Sequence, residues 1–394
     1  MEEILISGAG IAGCSAAIAL AGAGLPVRVI ERAEAWAFAS SGIFVYSNGL
    51  EALDGLGVLP EILAAGFAVP GGRNLYLDAS GTPLTRTTYP VRAGGRIPAI
   101  LGIKRAELHR VLSGRMQALG VPVDLGTTIA DIAHRGGCTD VTLSDGRRLS
   151  TPLLVVAEGI RAPSRARAGW DVAPRYTGFG VWRSVHARPA ELTEKIMMMG
   201  AGKRFGIMPI SADRLYTFGT VPVPAGTHFP QAEWPRLMAQ AFCEFGGPAR
   251  PFLDELGAGA EVLYTAVEEI VLPLPWHRGR VVLIGDAAHA ATPFMGQGGA
   301  MAMEDGLVLA RCLAEARGDI DSALPRFGTQ RQPVCAFVQD VSRRVGEAGE
   351  LERPEDVLGR NAALVRDGQG QVDAFYTRLD TLRSAPHAAA AQAT

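Results

Sequence analysis

The chain has 394 residues, with 38 Lys and Arg against 40 Asp and Glu, so its net charge near neutrality is −2. That length exceeds what one hydrophobic core usually supports and leaves room to bury a large ligand. The balanced charge gives no electrostatic reason to expect nucleic acid or an anionic membrane as a partner, which leaves a small molecule.

No run of about 18 uncharged apolar residues occurs, so no membrane-spanning helix is predicted. Met1-Glu2-Glu3 leads straight into a strand with no basic, cleavable leader. The five cysteines lack pair spacing and fit reduced thiols rather than a disulfide framework. The expected location is therefore the cytoplasm.

Ile4 to Ser7 is an apolar strand, followed by Gly8-Ala9-Gly10-Ile11-Ala12-Gly13 and an Ala-rich helical stretch. Val27 to Ile30 is the next strand, and Glu31 ends it 18 residues beyond Gly13. Strand, glycine motif, helix, strand and acid in this order form a dinucleotide fingerprint. Gly8 permits the tight turn, Gly10 lets the backbone approach a pyrophosphate, Gly13 lets helix and strand pack closely, and Glu31 accepts from a ribose. The helix start at Ile11 and Ala12 offers unpaired N–H groups and a partial positive charge to the phosphates.

Arg32 to Ser47 reads as a loop and Gly49 to Leu59 as a short helix. From Arg73 to Thr88 the pattern alternates, which predicts a hairpin of a second sheet. Ile103 to Leu119 has helical spacing, Val121 begins a strand, and Gly136-Gly137 and Asp145-Gly146 mark two hairpins. Leu153 to Ala157 is a continuous apolar run, as in a strand covered on both faces.

Residues 171–274 are mostly alternating strands (Val181 to Val185, Phe205 to Ile210, Leu215 to Val221, Val262 to Leu272) with one helix near Glu233 to Glu244. Arg280 to Ile284 is again an apolar strand. It leads into Gly285-Asp286-Ala287-Ala288-His289 and a helix to about Glu315, and helical pattern continues to roughly Gly346. One or two peripheral helices and a disordered Ala-rich tail after Ser384 complete the chain.

The expected fold class is α/β: a discontinuous Rossmann-like domain (1–72, 100–170 and 275–345) with an inserted β-rich domain (73–99 and 171–274). C-terminal helices and a disordered tail occupy 346–394. A ligand is expected where the parts meet, at the carboxyl ends of the parallel strands.

Three motifs in this order resemble the single-component FAD-dependent aromatic monooxygenases of the p-hydroxybenzoate hydroxylase type. They are the fingerprint at Gly8, Ala157-Glu158-Gly159-Ile160-Arg161, and Leu283-Ile284-Gly285-Asp286-Ala287-Ala288-His289 with Thr292-Pro293-Phe294-Met295-Gly296-Gln297-Gly298-Gly299. The resemblance covers nearly the whole chain and implies non-covalent FAD, with NADPH or NADH as co-substrate. It assigns Asp286 to the ribityl hydroxyls, Arg105 to the pyrophosphate or ribityl chain, Arg32 to the adenosine end, and Pro293 to the neighbourhood of the oxygen-carrying carbon. Gly296, Gly298 and Gly299 let bare backbone approach the isoalloxazine ring, where a helix start holds negative charge at N1 and O2.

The middle motif departs from the family's Asp-Gly-x-x-Ser-x-x-Arg. Glu158 replaces Asp and Ala162 stands at the Ser position, while Gly159 and Arg165 match. This leaves the choice between NADH and NADPH open.

The resemblance further implies that NAD(P)H reduces the flavin and that O2 adds to it as a C4a-hydroperoxide, whose distal oxygen passes to an aromatic or polycyclic small molecule. Such chemistry needs an apolar pocket that excludes water. Phe44, Tyr46, Phe205, Ile207, Met208, Phe218 and Met295 are the candidate lining, and His186 and Tyr216 the candidate bases. Arg183 is the nearest candidate for an anion clamp. No metal-ligand spacing or Gly-x-Ser-x-Gly elbow occurs.

Two alternatives share the fold: a flavin reductase of the isoprenoid-reductase kind, and a flavin-fold protein that binds an intermediate with little turnover. A monomer or homodimer is expected.

Overall fold

The computed structural model describes residues 3–36, 41–257 and 259–385. The expected disordered tail lies outside these from residue 386 on, and so do four residues of the loop expected at Arg32 to Ser47.

A six-stranded sheet runs in the order His277–Arg278, Val281–Leu283, Leu154–Val156, Ile4–Ser7, Val27–Glu31, Val123–Leu125. All neighbours are parallel except the short antiparallel edge strand His277–Arg278. Val281 to Leu283 and Leu154 to Val156 are each 0% exposed, as in strands covered on both faces. Burying each such side chain stabilises the fold by roughly 1.5–3 kcal/mol.

The helix Ile11–Gly22 packs tightly on the late helix Gly298–Glu315. A Cβ on Gly306 would lie 2.6 Å from Ala16 N, so this closeness depends on a residue without a side chain.

A seven-stranded sheet is ordered Val262–Glu269, Arg175–Ala187, Arg214–Pro222, Arg204–Pro209, Lys195–Met199, Arg73–Asp78, Pro83–Thr88. Only the pair Lys195–Met199 and Arg73–Asp78 is parallel. Lys195–Met199 is absent from the sequence reading, since Lys-Ile-Met-Met-Met neither alternates nor is rich in β-branched residues.

Two three-stranded sheets complete the β structure. One is Arg148–Thr151, Cys138–Leu143, Ile129–Arg135; the other is Gly42–Tyr46, Ile100–Lys104, Phe67–Ala68. The second corrects two expectations. Gly42–Tyr46 is a strand rather than loop, and Ile100–Lys104 is its partner, so the helix predicted from Ile103 begins at Arg105.

Helices Ile320–Gly349 and Pro354–Ser384 close the fold, the second lying on Pro83–Thr88. Among the described residues no helix is long and apolar enough to cross a membrane.

Candidate active site

Where the two large sheets face each other lies a cavity of about 930 Å³, near the upper end of the roughly 300–1,000 Å³ usual for ligand pockets. One end is built by the glycine turn. Gly8 holds φ +102°, and a Cβ on Gly13 would fall 1.8 Å from the Gly8 carbonyl oxygen. Gly13 therefore does not line the cavity; it brings helix and strand together.

At Gly10 a Cβ would meet nothing within 4 Å, because the backbone there borders open cavity. Ile11 and Ala12 line the same end, with first-turn N–H groups that have no intrahelical acceptor. Glu31 accepts from Ala9 N at 2.8 Å and Ala33 N at 3.0 Å. His109 bonds the Ala9 carbonyl through Nε2 at 2.6 Å, tying Arg105–Ala118 to the glycine turn and presenting Arg105 to the cavity. Arg32 lines this end and is otherwise exposed.

The departed middle motif is locally coherent. Ser7 and Ser164 hydroxyls both donate to Glu158 Oε1 at 2.6 Å, and Ser164 N donates to Oε2 at 2.9 Å. The longer acid thus reaches a serine two positions beyond Ala162. Arg165 is buried and donates to the carbonyls of Ile160, Val172 and Ala287, fastening this segment to the Gly285-Asp286 turn.

Gly285 has φ +58° and donates its N–H to Asp305 Oδ2. Asp305 also accepts from His289 Nε2 at 2.6 Å and Arg331 Nε at 2.7 Å. Burial alone would raise the Asp305 carboxyl, but the His289 and Arg331 charges overcome it and leave it below the ordinary range. Burial likewise opposes the His289 cation, yet the neighbouring Cys335 and Asp305 outweigh it and hold its pKa well above the usual value. His289, Asp305 and Cys335 come within 4.8 Å of one another, but Arg331 already neutralises this acid, so the cluster is an ion-pair network.

Asp286 points the other way, into the cavity. Asp286 is open to the cavity, and its enclosure by the surrounding protein pushes its carboxyl up, with the His289 and Arg105 charges opposing.

The far end holds Pro293, Phe294, Gly296, Gly298 and Gly299. Gly296 takes φ +63°, and a Cβ on Gly298 would meet nothing within 4 Å. Helix Ile320–Gly349 secures this loop: the hydroxyls of Thr292 and Ser342 bond at 2.7 Å, and a Cβ on Gly346 would lie 2.4 Å from the Phe294 ring. Opposite stand Phe44, Tyr216 and Phe218, with Tyr216 and Phe218 stacked at 5.2 Å and 27°.

The sheet register decides which predicted pocket residues arrive. Phe218 pairs with Gly206, so Phe218, Gly206 and Arg204 share the cavity face, and Phe205 and Ile207 must point away. Both are 0% exposed in a separate core with Trp182 and Phe242. Phe205 and Ile207 are therefore corrected from pocket to core. Met208 shares the cavity side of its strand but is fully buried in the main core and does not line the cavity.

Tyr46 lies behind Phe44, at 5.4 Å, in a cluster with Tyr89 and Tyr376. Met295 packs on the main core and does not line the cavity.

His186 is corrected as well. It bonds Ser184 and Glu255 against Phe252, outside the cavity, because its alternation puts it on the opposite face from Arg183. Tyr216 lines the cavity, and burial raises its pKa far above the ordinary phenol, which favours the protonated hydroxyl.

Sequence reasoning missed Arg204, which is 7% exposed, lies 4.5 Å over the Phe294 ring, and makes no side-chain hydrogen bond or ion pair among the described residues. Its only sequence signal was a charge on one face of an otherwise apolar strand. Arg183 also lines the cavity, donating to Thr265 Oγ1 at 2.8 Å rather than to an acid.

These residues fit FAD: bare main chain borders open space at Gly10, Gly159 and Gly298, helix starts stand at both ends, and Asp286 lies between. Fold and site define a flavin-binding oxidoreductase.

The chain matches the family described as FAD binding domain over residues 1–342 and belongs to that family. It is 33% identical over 387 residues to the aurachin C monooxygenase/isomerase of Stigmatella aurantiaca, spanning 95% of this chain and 97% of that one. It is 34% identical over 372 residues to the 2-heptyl-3-hydroxy-4(1H)-quinolone synthase of Pseudomonas aeruginosa, spanning 92% and 93%. Among solved structures, HpxO of Klebsiella pneumoniae with FAD and uric acid superposes at a TM-score of 0.85, with 27% identity and coverage of 98% and 97%. The protein is an FAD-dependent monooxygenase that draws its electrons from NAD(P)H.

Proposed function

We propose that the enzyme hydroxylates a flat, electron-rich heteroaromatic compound that presents an oxyanion or carbonyl oxygen to Arg204. The observation that carries this reading is the Arg204 guanidinium itself, buried, without an acid partner among the described residues, and pushed down to about 10 by burial. A charge held out of water with no counter-ion favours any ligand that supplies one. Tyr216 offers a hydroxyl that stays protonated, and the stacked Tyr216 and Phe218 rings suit a planar ligand. Quinolone and purine oxygenases among the relatives lend support to a bicyclic substrate of this kind.

Gly10 to Ala12, Glu31 and Arg105 at one end, the Gly296 to Gly299 loop at the other and Asp286 between them would hold FAD, which would supply the oxygen-transfer chemistry. The chain's own work is to hold the substrate ring under Pro293, to donate a hydrogen bond from Tyr216, and to keep water away with Phe44, Phe218 and Met197, which also lines the cavity.

This reading includes the division into nucleotide-binding segments 1–72, 100–170 and 275–345 and a sheet-bearing part of 73–99 and 171–274. It also includes a cytoplasmic location, in keeping with five free cysteines, and a monomer or homodimer.

Anaerobic stopped-flow mixing with NADH and with NADPH tests the reading. A substrate of the proposed class accelerates flavin bleaching and, in air, gains one oxygen atom per nicotinamide oxidised. Equal bleaching with and without any acceptor-bearing heteroaromatic compound would refute it.

A further inference from the structure

Phe44 forms part of the cavity wall, and the group behind it takes no part in the chemistry assigned so far. Lys195 opens the strand Lys195–Met199 and is only 3% exposed. Its Nζ donates to the Tyr46 hydroxyl at 2.9 Å and lies 4.6 Å from the centre of the Phe44 ring, with Tyr46 and Tyr89 rings at 5.5 and 5.6 Å. No acid stands within ion-pair distance of it among the described residues. Ring faces and one hydroxyl are all that replace its water, so the cation–π contact with Phe44 is a principal support of the charge.

The groups facing this pocket from the neighbouring elements are the buried Tyr46, Tyr216 and Tyr376, the half-buried Tyr76 and Tyr89, and Arg204, whose charge acts on Lys195. None supplies a negative partner at neutral pH.

The far edge of the Phe44 ring abuts the flavin loop. A Cβ on Gly296 would lie 2.0 Å from Phe44 Cε2, so ring and loop are in close contact. The next residue, Gln297, accepts from Asn48 at 2.8 Å. Phe44 therefore braces the loop on this side, while helix Ile320–Gly349 holds it through Thr292 and Phe294.

We propose that Lys195 is a positioning residue for the flavin loop: its ammonium holds the Phe44 ring against Gly296, and loss of that charge lets ring and loop relax and alters the surroundings of the flavin ring. The proposal rests on the flavin-binding cavity described above. Burial, reinforced by Arg204, brings Lys195 down to about 7, so the two states interconvert in the neutral range. Below that point the ammonium pins Phe44; above it the amine cannot.

The test is a titration of the FAD-loaded protein from about pH 6 to about pH 9, a range that spans the Lys195 transition and avoids the ordinary lysine range near 10.4. Absorption and circular dichroism of the bound flavin are followed for wild type, Lys195→Met, Lys195→Arg and Phe44→Leu. The wild type should show a one-proton transition in the flavin spectrum near pH 7 and an FAD dissociation constant about threefold higher on the alkaline side, as a lost cation–π contact predicts. All three variants should lack the transition, with Lys195→Arg resembling the acid form and Lys195→Met the alkaline one.

A flat wild-type spectrum overturns the proposal without needing any variant, and so does a transition that survives in Lys195→Met or Phe44→Leu. Failure to take up FAD at all would instead overturn the flavin reading, and this proposal with it.

Discussion

His289 and Gly285 share one oxygen: Asp305 Oδ2 accepts from His289 Nε2 at 2.6 Å and from Gly285 N at 2.7 Å. The glycine turn that aims Asp286 into the cavity is thus fixed from behind by a fully buried acid. Asp305→Asn leaves the His289 cation without its partner and Arg331 with Glu304 alone, and removing one member of a buried ion pair costs about 3–5 kcal/mol. Denaturant unfolding should show that loss.

The sign of the pH dependence follows from the two shifts. Asp305 is held below its unfolded value, so its contribution is present above about 4 and lost as pH falls through the depressed value. His289 is held above its unfolded value, so its contribution is complete below about 6.5 and lost as pH rises toward the elevated one. The stability gap between wild type and His289→Gln should therefore shrink on going from pH 6 to alkaline solution. A gap that widens would contradict the assignment.

Gly10 and Gly13 should fail in different ways. A Cβ on Gly10 meets no protein atom but projects into the cavity, so Gly10→Ala should unfold at nearly the wild-type temperature yet bind FAD at least about tenfold more weakly, the cost of one misplaced phosphate contact. Gly13→Ala collides with backbone at 1.8 Å and should be destabilised with or without FAD. Thermal melts of apo and FAD-loaded protein separate the two.

Asp286→Ala removes a cavity carboxylate without touching the core. Loss of a charge-assisted hydrogen bond predicts an FAD dissociation constant raised about tenfold to a hundredfold, with apoprotein stability unchanged. Fluorescence quenching of added FAD measures the first and melting of the apoprotein the second.

Arg204→Met should raise the KM for an acceptor-bearing substrate by about tenfold to a hundredfold while leaving FAD affinity as it was. Tyr216→Phe should act in the same direction but more weakly, since it removes a neutral donor. Unaltered KM in Arg204→Met would remove the guanidinium from substrate recognition.

His186→Gln provides the contrast. His186 lies outside the cavity, bonded to Ser184 and Glu255, so kcat should stay within about twofold while stability falls by roughly 1 kcal/mol. A steep loss of turnover with intact folding would restore it as a base.

The sequence by itself determined the nucleotide end of the site, because that end is made of local signals. Gly8, Gly10, Gly13 and Glu31 sit in one strand-helix-strand unit, and Gly285 to Gly299 in another, where backbone need and residue type are tied within a few positions. The substrate end was decided only by tertiary structure. Whether Phe205 or Arg204 faces the cavity depends on pairing with Arg214–Pro222, and both alternating sets of that strand are largely apolar, so sequence offers no way to choose between them. The same holds for Lys195, Tyr46 and Phe44, which come together only when a parallel strand and a separate three-stranded sheet are brought side by side.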